Sequence, residues 1–381
     1  MITCGLDRIS TYPHLFDNKR LGLVTTPSAV DAHLCSSIDL FASRYNLRSL
    51  FAPEHGLYSD QGAGSSVQSW FDKERSLEVH SLYTAESKGL QISMVEGLDA
   101  LVFDIQDLGL RFYTYIATLK NLLKDCATFG LPLIVLDRPN PLGGEVVEGN
   151  LLGGDSFSFV GPAAIPIRYG LTIGELALYL NATEALGCDL TVVPLLSWKR
   201  TQYFDDIQRP WIMTSPAIGH FSTALLYAGM CLFEGTNLSE GRGTSAPFEL
   251  IGSPFIDPFS LAREANALAL DGVAFTPAHF TPSASKYANQ MCKGLYLHLL
   301  DKNRFRPVET ALRLISLIAE EYPTEFVFLP THHERSLSGF ERLAGKGSIP
   351  LLLNDVEKLV QRWRSQSEAF AKKKKPYHLY G

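Results

Sequence analysis

Polar and ionisable side chains follow three short apolar runs of this sequence, at the positions where buried strands would end. The runs at 47–51, 100–104 and 133–137 end at or are followed by carboxyl, amide, imidazole, guanidinium and phenol groups, namely Glu54, His55, Gln106, Asp107, Arg111, Tyr113, Asp137, Arg138 and Asn140. Carboxyl groups give and take protons, while amides and arginines hold the hydroxyl and carboxylate groups of a ligand. Such a set is suited to acid–base chemistry on a sugar.

Glu54 is the leading candidate for the acid/base of this set. It lies between a proline and the His55-Gly56 turn, which would hold it rigidly away from any capping position. Other members have structural alternatives. Asp137 and Arg138 can form a salt bridge that holds the proline-rich turn, and Tyr113 can pack at a helix start instead of contacting a substrate.

A glycine-rich segment at 233–245 is the second region with chemical potential. It holds four further candidates, Glu234, Asn237, Glu240 and Arg242, among three glycines. Glycine lets a ligand approach the backbone closely. A flexible surface loop with scattered charge is the alternative interpretation. Glu234 or Glu240, or else Asp107, would be the second catalytic group beside Glu54.

The apolar runs predict the sheet that positions these residues. Four of them, at 21–25, 47–51, 100–104 and 133–137, are rich in apolar residues, which is typical of parallel strands covered on both faces. Between the last two, apolar residues recur at helical spacing up to Phe129, and Gly130 ends that helix. The pattern predicts an α/β fold with a Rossmann-like, doubly wound parallel sheet. Ligands of such sheets bind beyond the carboxyl ends of the strands.

Further along, a capping box of Thr172 and Glu175 predicts a helix that Gly187 ends, followed by a strand at 190–195. The segment 197–255 is rich in glycine, proline, serine and threonine, and we expect it to be loop structure wrapped over a site.

The sequence changes character after residue 255. Apolar stripes at 308–319 and 356–370 predict two helices, with a strand at 325–329 between them. We therefore expect a Rossmann-like catalytic domain over 1–255 and a smaller auxiliary α+β domain over 256–381.

Charge and hydropathy exclude several classes of partner. The formal net charge is -6, whereas nucleic-acid binding needs an excess of Lys and Arg, so no nucleic-acid partner is predicted. The basic run Lys372–Lys375 is typical of a solvated helix end.

No apolar run reaches the roughly 20 residues of a membrane-spanning helix, so no membrane partner is predicted. The first residues lack a cationic start and an apolar stretch, which predicts a cytoplasmic protein. Nothing indicates an oligomeric state.

No metal or cofactor is predicted. The six cysteines form no C-x-x-C pair, and His332-His-Glu334 lacks the spacing of an H-E-x-x-H zinc site. A G-x-G-x-x-G fingerprint fails because Val67 occupies its last position. The P-loop pattern and the G-x-S-x-G pattern of serine hydrolases are both absent.

At the same residues the sequence resembles the NamZ family of exo-β-N-acetylmuramidases, long catalogued as a domain of unknown function. The matching stretches are FAPEHG (51–56), LVFDIQDLGLRFYTY (101–115), VLDRPNPLGG (135–144), YGLTIGELA (169–177), LFEGTNLSEGRGTSAPFELIGSPF (232–255), FTPSASKY (280–287) and PYHLYG (376–381). The sequence departs from the family at 57–61, and at Ser215-Pro-Ala217, where the family has an asparagine in third position.

The resemblance implies a Rossmann-like domain, a smaller auxiliary domain and an active site between them. It implies release of terminal N-acetylmuramic acid from the non-reducing end of peptidoglycan fragments, with Glu54 as the main catalytic candidate. Recognition of the lactyl carboxylate of that sugar requires a cation. Arg111, Arg138 and Arg242 are candidates, and Arg111 leads because it lies at a helix entrance. Its alternative role is a salt bridge to Asp104 or Asp107.

A second function remains open on the residues alone. The same sheet edge would also suit a non-catalytic module that binds an amino sugar or a nucleotide. Turnover of a chromogenic muramic-acid glycoside distinguishes the two.

Overall fold

The computed structural model describes residues 2–62, 64–330 and 337–381. The strands are β1 Arg20–Thr25, β2 Asn46–Ala52, β3 Trp70–Asp72, β4 Leu77–Ser81, β5 Ala100–Asp104, β6 Leu133–Leu136, β7 Leu190–Val193, β8 Leu250–Ser253, β9 Val273–Phe280 and β10 Cys292–Leu299. The helices are α1 Pro13–Phe16, α2 Ser37–Arg44, α3 Ile92–Val95, α4 Tyr115–Phe129, α5 Ile173–Thr183, α6 Phe221–Met230, α7 Pro258–Ala267, α8 Pro307–Glu321, α9 Gly339–Ala344, α10 Ser348–Asn354 and α11 Val356–Lys373. In the described ranges no helix is long and apolar enough to cross a membrane.

A seven-stranded sheet forms the centre of the molecule, in the order β3-β4-β2-β1-β5-β6-β7. Every neighbouring pair is parallel except β3 and β4. Without the β3 edge strand, the order is the third, second, first, fourth, fifth and sixth strand of a Rossmann fold. All five residues of β5 are buried, as expected for a strand covered on both faces. The predicted doubly wound sheet is confirmed.

The helices beside this sheet begin and end largely where the sequence predicts. Gly130 ends α4 in the left-handed conformation, with φ of 66°. The Thr172 hydroxyl accepts from the Glu175 backbone N–H, and the Glu175 carboxylate accepts from that of Thr172, so the predicted capping box opens α5. The predicted end at Gly187 is wrong, because α5 stops at Thr183.

The smaller domain contains a three-stranded antiparallel sheet, β8-β10-β9, and helices that include α7, α8 and α11. The predicted α+β character is confirmed, but the predicted strand at 325–329 is wrong. Only Phe328 forms a bridge, with Thr236. Because β8 pairs with β10, this sheet includes a strand that precedes residue 255. The boundary at 255 itself stays a prediction.

The prediction that 197–255 is loop structure is also wrong, because this segment contains α6 and β8. Eight consecutive residues of α6, Thr223 to Met230, are buried. A helix buried all round has no polar face and hence no 3.6-residue alternation to reveal it. The strand β8 is only four residues long and includes Gly252.

Residues 374–381 return to the first sheet and pack against it. Lys374, expected to be solvated, is only 2% exposed, and its ammonium group donates to the carbonyl oxygens of Gly144 and Gly170. The Tyr380 hydroxyl donates to the buried Asp137 carboxylate. Burial raises the pKa of Asp137 to about 7, although the hydrogen bonds that it accepts oppose the shift.

Candidate active site

A cavity of about 770 Å³ lies beyond the carboxyl ends of β2, β4 and β5. Its opposite wall comes from the segment that contains α6 and from α9. The lining residues with polar or aromatic groups include Glu54, His55, Tyr83, Lys88, Tyr113, Phe159, Ser215, Tyr227, Glu234, Arg242, Phe248 and Arg342. Five of the residues predicted from the sequence therefore meet here, namely Glu54, His55, Tyr113, Glu234 and Arg242. A second cavity of about 400 Å³, between 145–149, α8 and α11, contains none of the predicted residues.

Glu54 is placed by the turn that follows β2. His55 has φ of 71° and Gly56 has φ of 80°, so the chain reverses immediately after the glutamate. A hydrogen bond of 2.9 Å between His55 Nδ1 and the Gln61 carbonyl oxygen closes this turn. Glu54 is buried, and its Oε1 accepts from the Gly64 backbone N–H at 2.6 Å. Its Oε2 is buried and has no hydrogen-bond partner among the described residues.

Tyr83 and Lys88 also line the cavity, and the sequence analysis missed both. The Lys88 ammonium group donates to the Tyr83 hydroxyl at 3.1 Å. Burial, followed by the Glu54 charge, raises the pKa of Tyr83 to about 12, so its hydroxyl stays protonated beside the glutamate. Both residues follow β4, where Leu77 and Val79 are buried and Glu78 is exposed. That alternation was the signal that would have predicted the strand and the residues at its end.

Glu234 faces the cavity as one member of a charged cluster. Its Oε1 accepts from Arg242 Nη2 at 2.8 Å, and Arg242 Nε lies 3.5 Å from Glu240 Oε1. Glu240 is 2% exposed and is also paired with Lys286 Nζ at 2.8 Å, so it lies behind the cavity wall. Burial raises the pKa of Glu234, Arg242 opposes this shift and Glu240 adds to it. Of the two predicted glutamates, Glu234 is therefore the one within reach of a ligand.

The three predicted amides do not line the cavity. Each donates to a backbone carbonyl oxygen, Gln106 to Pro139, Asn140 to Leu171 and Asn237 to Glu325, at 2.8–2.9 Å. These side chains hold loops together, so their geometry indicates a structural role.

Arg138 and Asp107 also lie outside the cavity lining. Arg138 forms a buried ion pair of 2.6 Å with Asp104, not with Asp137. Asp107 accepts from the Gly109 backbone N–H at 2.6 Å and from the Tyr169 hydroxyl. Burial raises the pKa of Asp107 to about 6. Both groups stabilise the sheet edge beside the cavity.

Arg111 is fully buried and contacts neither Asp104 nor Asp107. Its guanidinium donates to the carbonyl oxygens of Asn150, Ile165 and Leu343 and to the Asn150 side chain. Burial lowers its pKa to about 9. Since four hydrogen bonds hold both terminal nitrogens against the protein, Arg111 is not placed to bind a ligand carboxylate in the cavity.

Arg111→Met is therefore expected to destabilise the protein, by about 3 kcal/mol, because it leaves buried carbonyl oxygens without donors. Urea unfolding followed by circular dichroism measures this. Arg48→Met, at an exposed position, removes the same charge as a control. Equal stability of the two variants would contradict the structural role of Arg111.

Comparison with known proteins identifies the chain. The model described as "Exo-beta-N-acetylmuramidase NamZ, N-terminal" matches residues 21–222, and its C-terminal counterpart matches residues 225–380. The chain belongs to the NamZ family. It is 40% identical to a Bacillus subtilis (strain 168) protein named peptidoglycan beta-N-acetylmuramidase NamZ, over 100% of this chain and 91% of that protein.

Solved structures of two DUF1343 family proteins from Bacteroides fragilis NCTC 9343 share the NamZ fold. One has a TM-score of 0.89 at 31% identity, and the other a TM-score of 0.76 at 26% identity. Each comparison covers 100% of this chain and 99% of the other. Glu54 lies in the N-terminal NamZ segment and Glu234 in the C-terminal one, so the cavity is built from both segments.

The described ranges contain no group of three or more His, Cys, Asp or Glu side chains that would hold a metal ion. His332-His-Glu334 lies outside the described residues.

Proposed function

We propose that this NamZ-family chain is a glycoside hydrolase that releases terminal N-acetylmuramic acid from the non-reducing end of peptidoglycan fragments. One observation carries the proposal: two carboxyl groups, Glu54 and Glu234, line the same cavity, and Oε2 of Glu54 has no hydrogen-bond partner among the described residues. Two carboxyl groups around one bond are the usual machinery of glycoside hydrolysis. The name of the Bacillus subtilis relative supports the substrate.

In this proposal Glu54 is the general acid. The Gly64 N–H fixes Oε1, so Oε2 carries the proton that is transferred to the glycosidic oxygen as the bond breaks. The Tyr83 hydroxyl, to which Lys88 donates, lies close enough to Glu54 for the glutamate charge to raise the pKa of Tyr83.

Glu234 is the second carboxyl group. Arg242 fixes its orientation at 2.8 Å, and the cluster behind it restrains Arg242 in turn. A carboxylate held in advance toward the substrate stabilises the positive charge that develops on the sugar ring as the leaving group departs. Water then bonds to the anomeric carbon and gives up a proton, which completes the hydrolysis. Glu54 and Glu234 thus divide proton transfer and charge stabilisation between the two family segments.

The test is incubation of the purified protein with 4-nitrophenyl N-acetyl-β-muraminide and with a disaccharide that carries muramic acid at its non-reducing end. We expect nitrophenol from the first and free N-acetylmuramic acid from the second. Binding of both compounds without any product would instead indicate a non-catalytic amino-sugar module.

Turnover is expected to be the same in excess EDTA as in untreated buffer, since carboxyl groups and the substrate supply all the chemistry proposed here. Parallel assays with added zinc or magnesium are the control. Loss of activity in EDTA that either ion restores would show that a metal takes part.

We also propose a cytoplasmic site of action on imported or recycled fragments. All six cysteines are free and five of them are buried, which fits a reducing compartment. Cell fractionation with antibodies against this chain tests the location.

A further inference from the structure

Among the described residues, three side chains that carry a positive charge line the cavity: Lys88, Arg242 and Arg342. Protein carboxylates already occupy one of them, because Arg242 pairs with Glu234 at 2.8 Å and lies 3.5 Å from Glu240. Lys88 and Arg342 are not paired with a carboxylate in the described part of the chain. Their positive charges are therefore available to a ligand.

Arg342 lies on α9 between two buried residues, Phe340 and Leu343, which fix the helix against the core. Its backbone N–H donates to the Ser338 carbonyl oxygen at 3.1 Å. Over the ranges 2–62, 64–330 and 337–381, its guanidinium has neither a carboxylate within 4.0 Å nor a hydrogen bond to another side chain. Within these ranges the arginine has no protein anion as a partner, and a guanidinium is well suited to bind the anion of a ligand.

Lys88 lies near Arg342 and is not paired with a carboxylate in the described part of the chain either. Its ammonium nitrogen lies 3.1 Å from the Tyr83 hydroxyl and 4.4 Å from the centre of the Phe159 ring. Burial lowers the pKa of Lys88, Glu54 opposes the shift and Arg342 adds to it, so the two positive charges repel each other. A ligand anion between them would remove that repulsion.

N-Acetylmuramic acid differs from N-acetylglucosamine by a lactyl ether on the ring, and this ether carries a carboxylate. We propose that Arg342, with Lys88 beside it, binds the lactyl carboxylate and so makes the cavity selective for the muramic sugar. The identity of the sugar rests on the proposed function. An arginine fork matches a carboxylate with two parallel hydrogen bonds, and the lysine adds a point charge. Arg342 thereby takes the role that the sequence had suggested for Arg111.

Calorimetry tests the proposal by measuring the Kd of free N-acetylmuramic acid and of its lactyl amide, in which an uncharged carboxamide replaces the carboxylate. The wild type is expected to prefer the acid about ten- to a hundredfold, the range for one hydrogen bond to a charged group. Arg342→Met should bring the two Kd values close together. The exposed Arg48→Met variant, which removes the same charge elsewhere, should keep the wild-type preference.

The melting temperature of Arg342→Met should match that of the wild type, since the Arg342 guanidinium forms no ion pair or hydrogen bond with the described residues. A wild type that binds acid and amide equally, an Arg342→Met variant that keeps the preference, or an equal loss of both ligands would each overturn the proposal. Failure of the wild type to hydrolyse the muraminide, with the preference for the acid intact, would instead overturn the proposed catalysis and leave this recognition standing.

Discussion

Glu54→Gln is expected to lower kcat by about 10²–10⁴-fold, the range for loss of a general acid or base. Glutamine keeps the size of the side chain and can still accept from the Gly64 N–H, but it cannot deliver a proton from the free oxygen. Stability should therefore change little. Steady-state hydrolysis of the nitrophenyl muraminide measures the effect on kcat, and a thermal melt shows that the variant is folded.

The matched control is Glu78→Gln. Glu78 lies on β4, is exposed and does not line the cavity, so its replacement removes one carboxylate from the same sheet without touching the site. Its kcat should equal that of the wild type. If Glu54→Gln turned over substrate at the rate of this control, Glu54 would have no part in proton transfer.

Glu234→Gln is expected to lower kcat, whereas Glu240→Gln is expected to lower the stability of the protein. Glu234→Gln should lower kcat by at least about 10²-fold, the usual cost of one preorganised charge-stabilising group, with a melting temperature near that of the wild type. Glu240→Gln should mainly lower the free energy of unfolding. It removes a carboxylate that is 2% exposed and that pairs with Lys286 at 2.8 Å, while the Lys286 ammonium group keeps its hydrogen bonds to the carbonyl oxygens of Phe233 and Thr236.

The expected loss of stability for Glu240→Gln is about 2 kcal/mol. It is smaller than the cost of breaking a fully buried pair, because Lys286 and Arg242 retain partial contact with water. Comparison of kcat per folded molecule with urea unfolding separates the two effects. A stable Glu240→Gln protein with lower turnover than Glu234→Gln would assign the second carboxyl group to Glu240.

The parallel sheet was predictable because its buried strands carry continuous apolar runs, and the rule that ligands bind beyond such strands led to Glu54. The elements that were missed lack a local signal. The helix α6 is apolar on all sides, and β8 is very short. Because β4 was not predicted, the rule that ligands bind beyond the carboxyl ends of strands did not lead to Tyr83 and Lys88, which follow β4.

Sequence position also could not show which side chains at the sheet edge point toward the cavity. Arg111 and Glu54 both follow buried strands, but the guanidinium of Arg111 is surrounded by backbone carbonyl oxygens, whereas Oε2 of Glu54 has no partner in the part of the chain that the structure describes. That difference depends on the chain near Leu343, more than 200 residues away along the sequence. Arg342 is the residue before Leu343, and it lines the cavity because α9 packs against the core through Phe340 and Leu343.

The packing of residues 374–381 on the first sheet has a consequence for biosynthesis. During synthesis, the Asp137 carboxylate cannot accept its hydrogen bond from the Tyr380 hydroxyl until that residue is made, 243 residues later. The Glu175 carboxylate likewise accepts from the Leu379 backbone N–H, which lies 204 residues later. At about 5–20 residues per second, a ribosome needs roughly 10–50 s to synthesise that interval. Over this time Asp137 and Glu175 have their nearer partners, Thr172, Gly174 and Arg200, but lack these two hydrogen bonds from the end of the chain. The first sheet therefore gains its last hydrogen bonds from residues of the C-terminal family segment, beyond the match of the N-terminal model at 21–222.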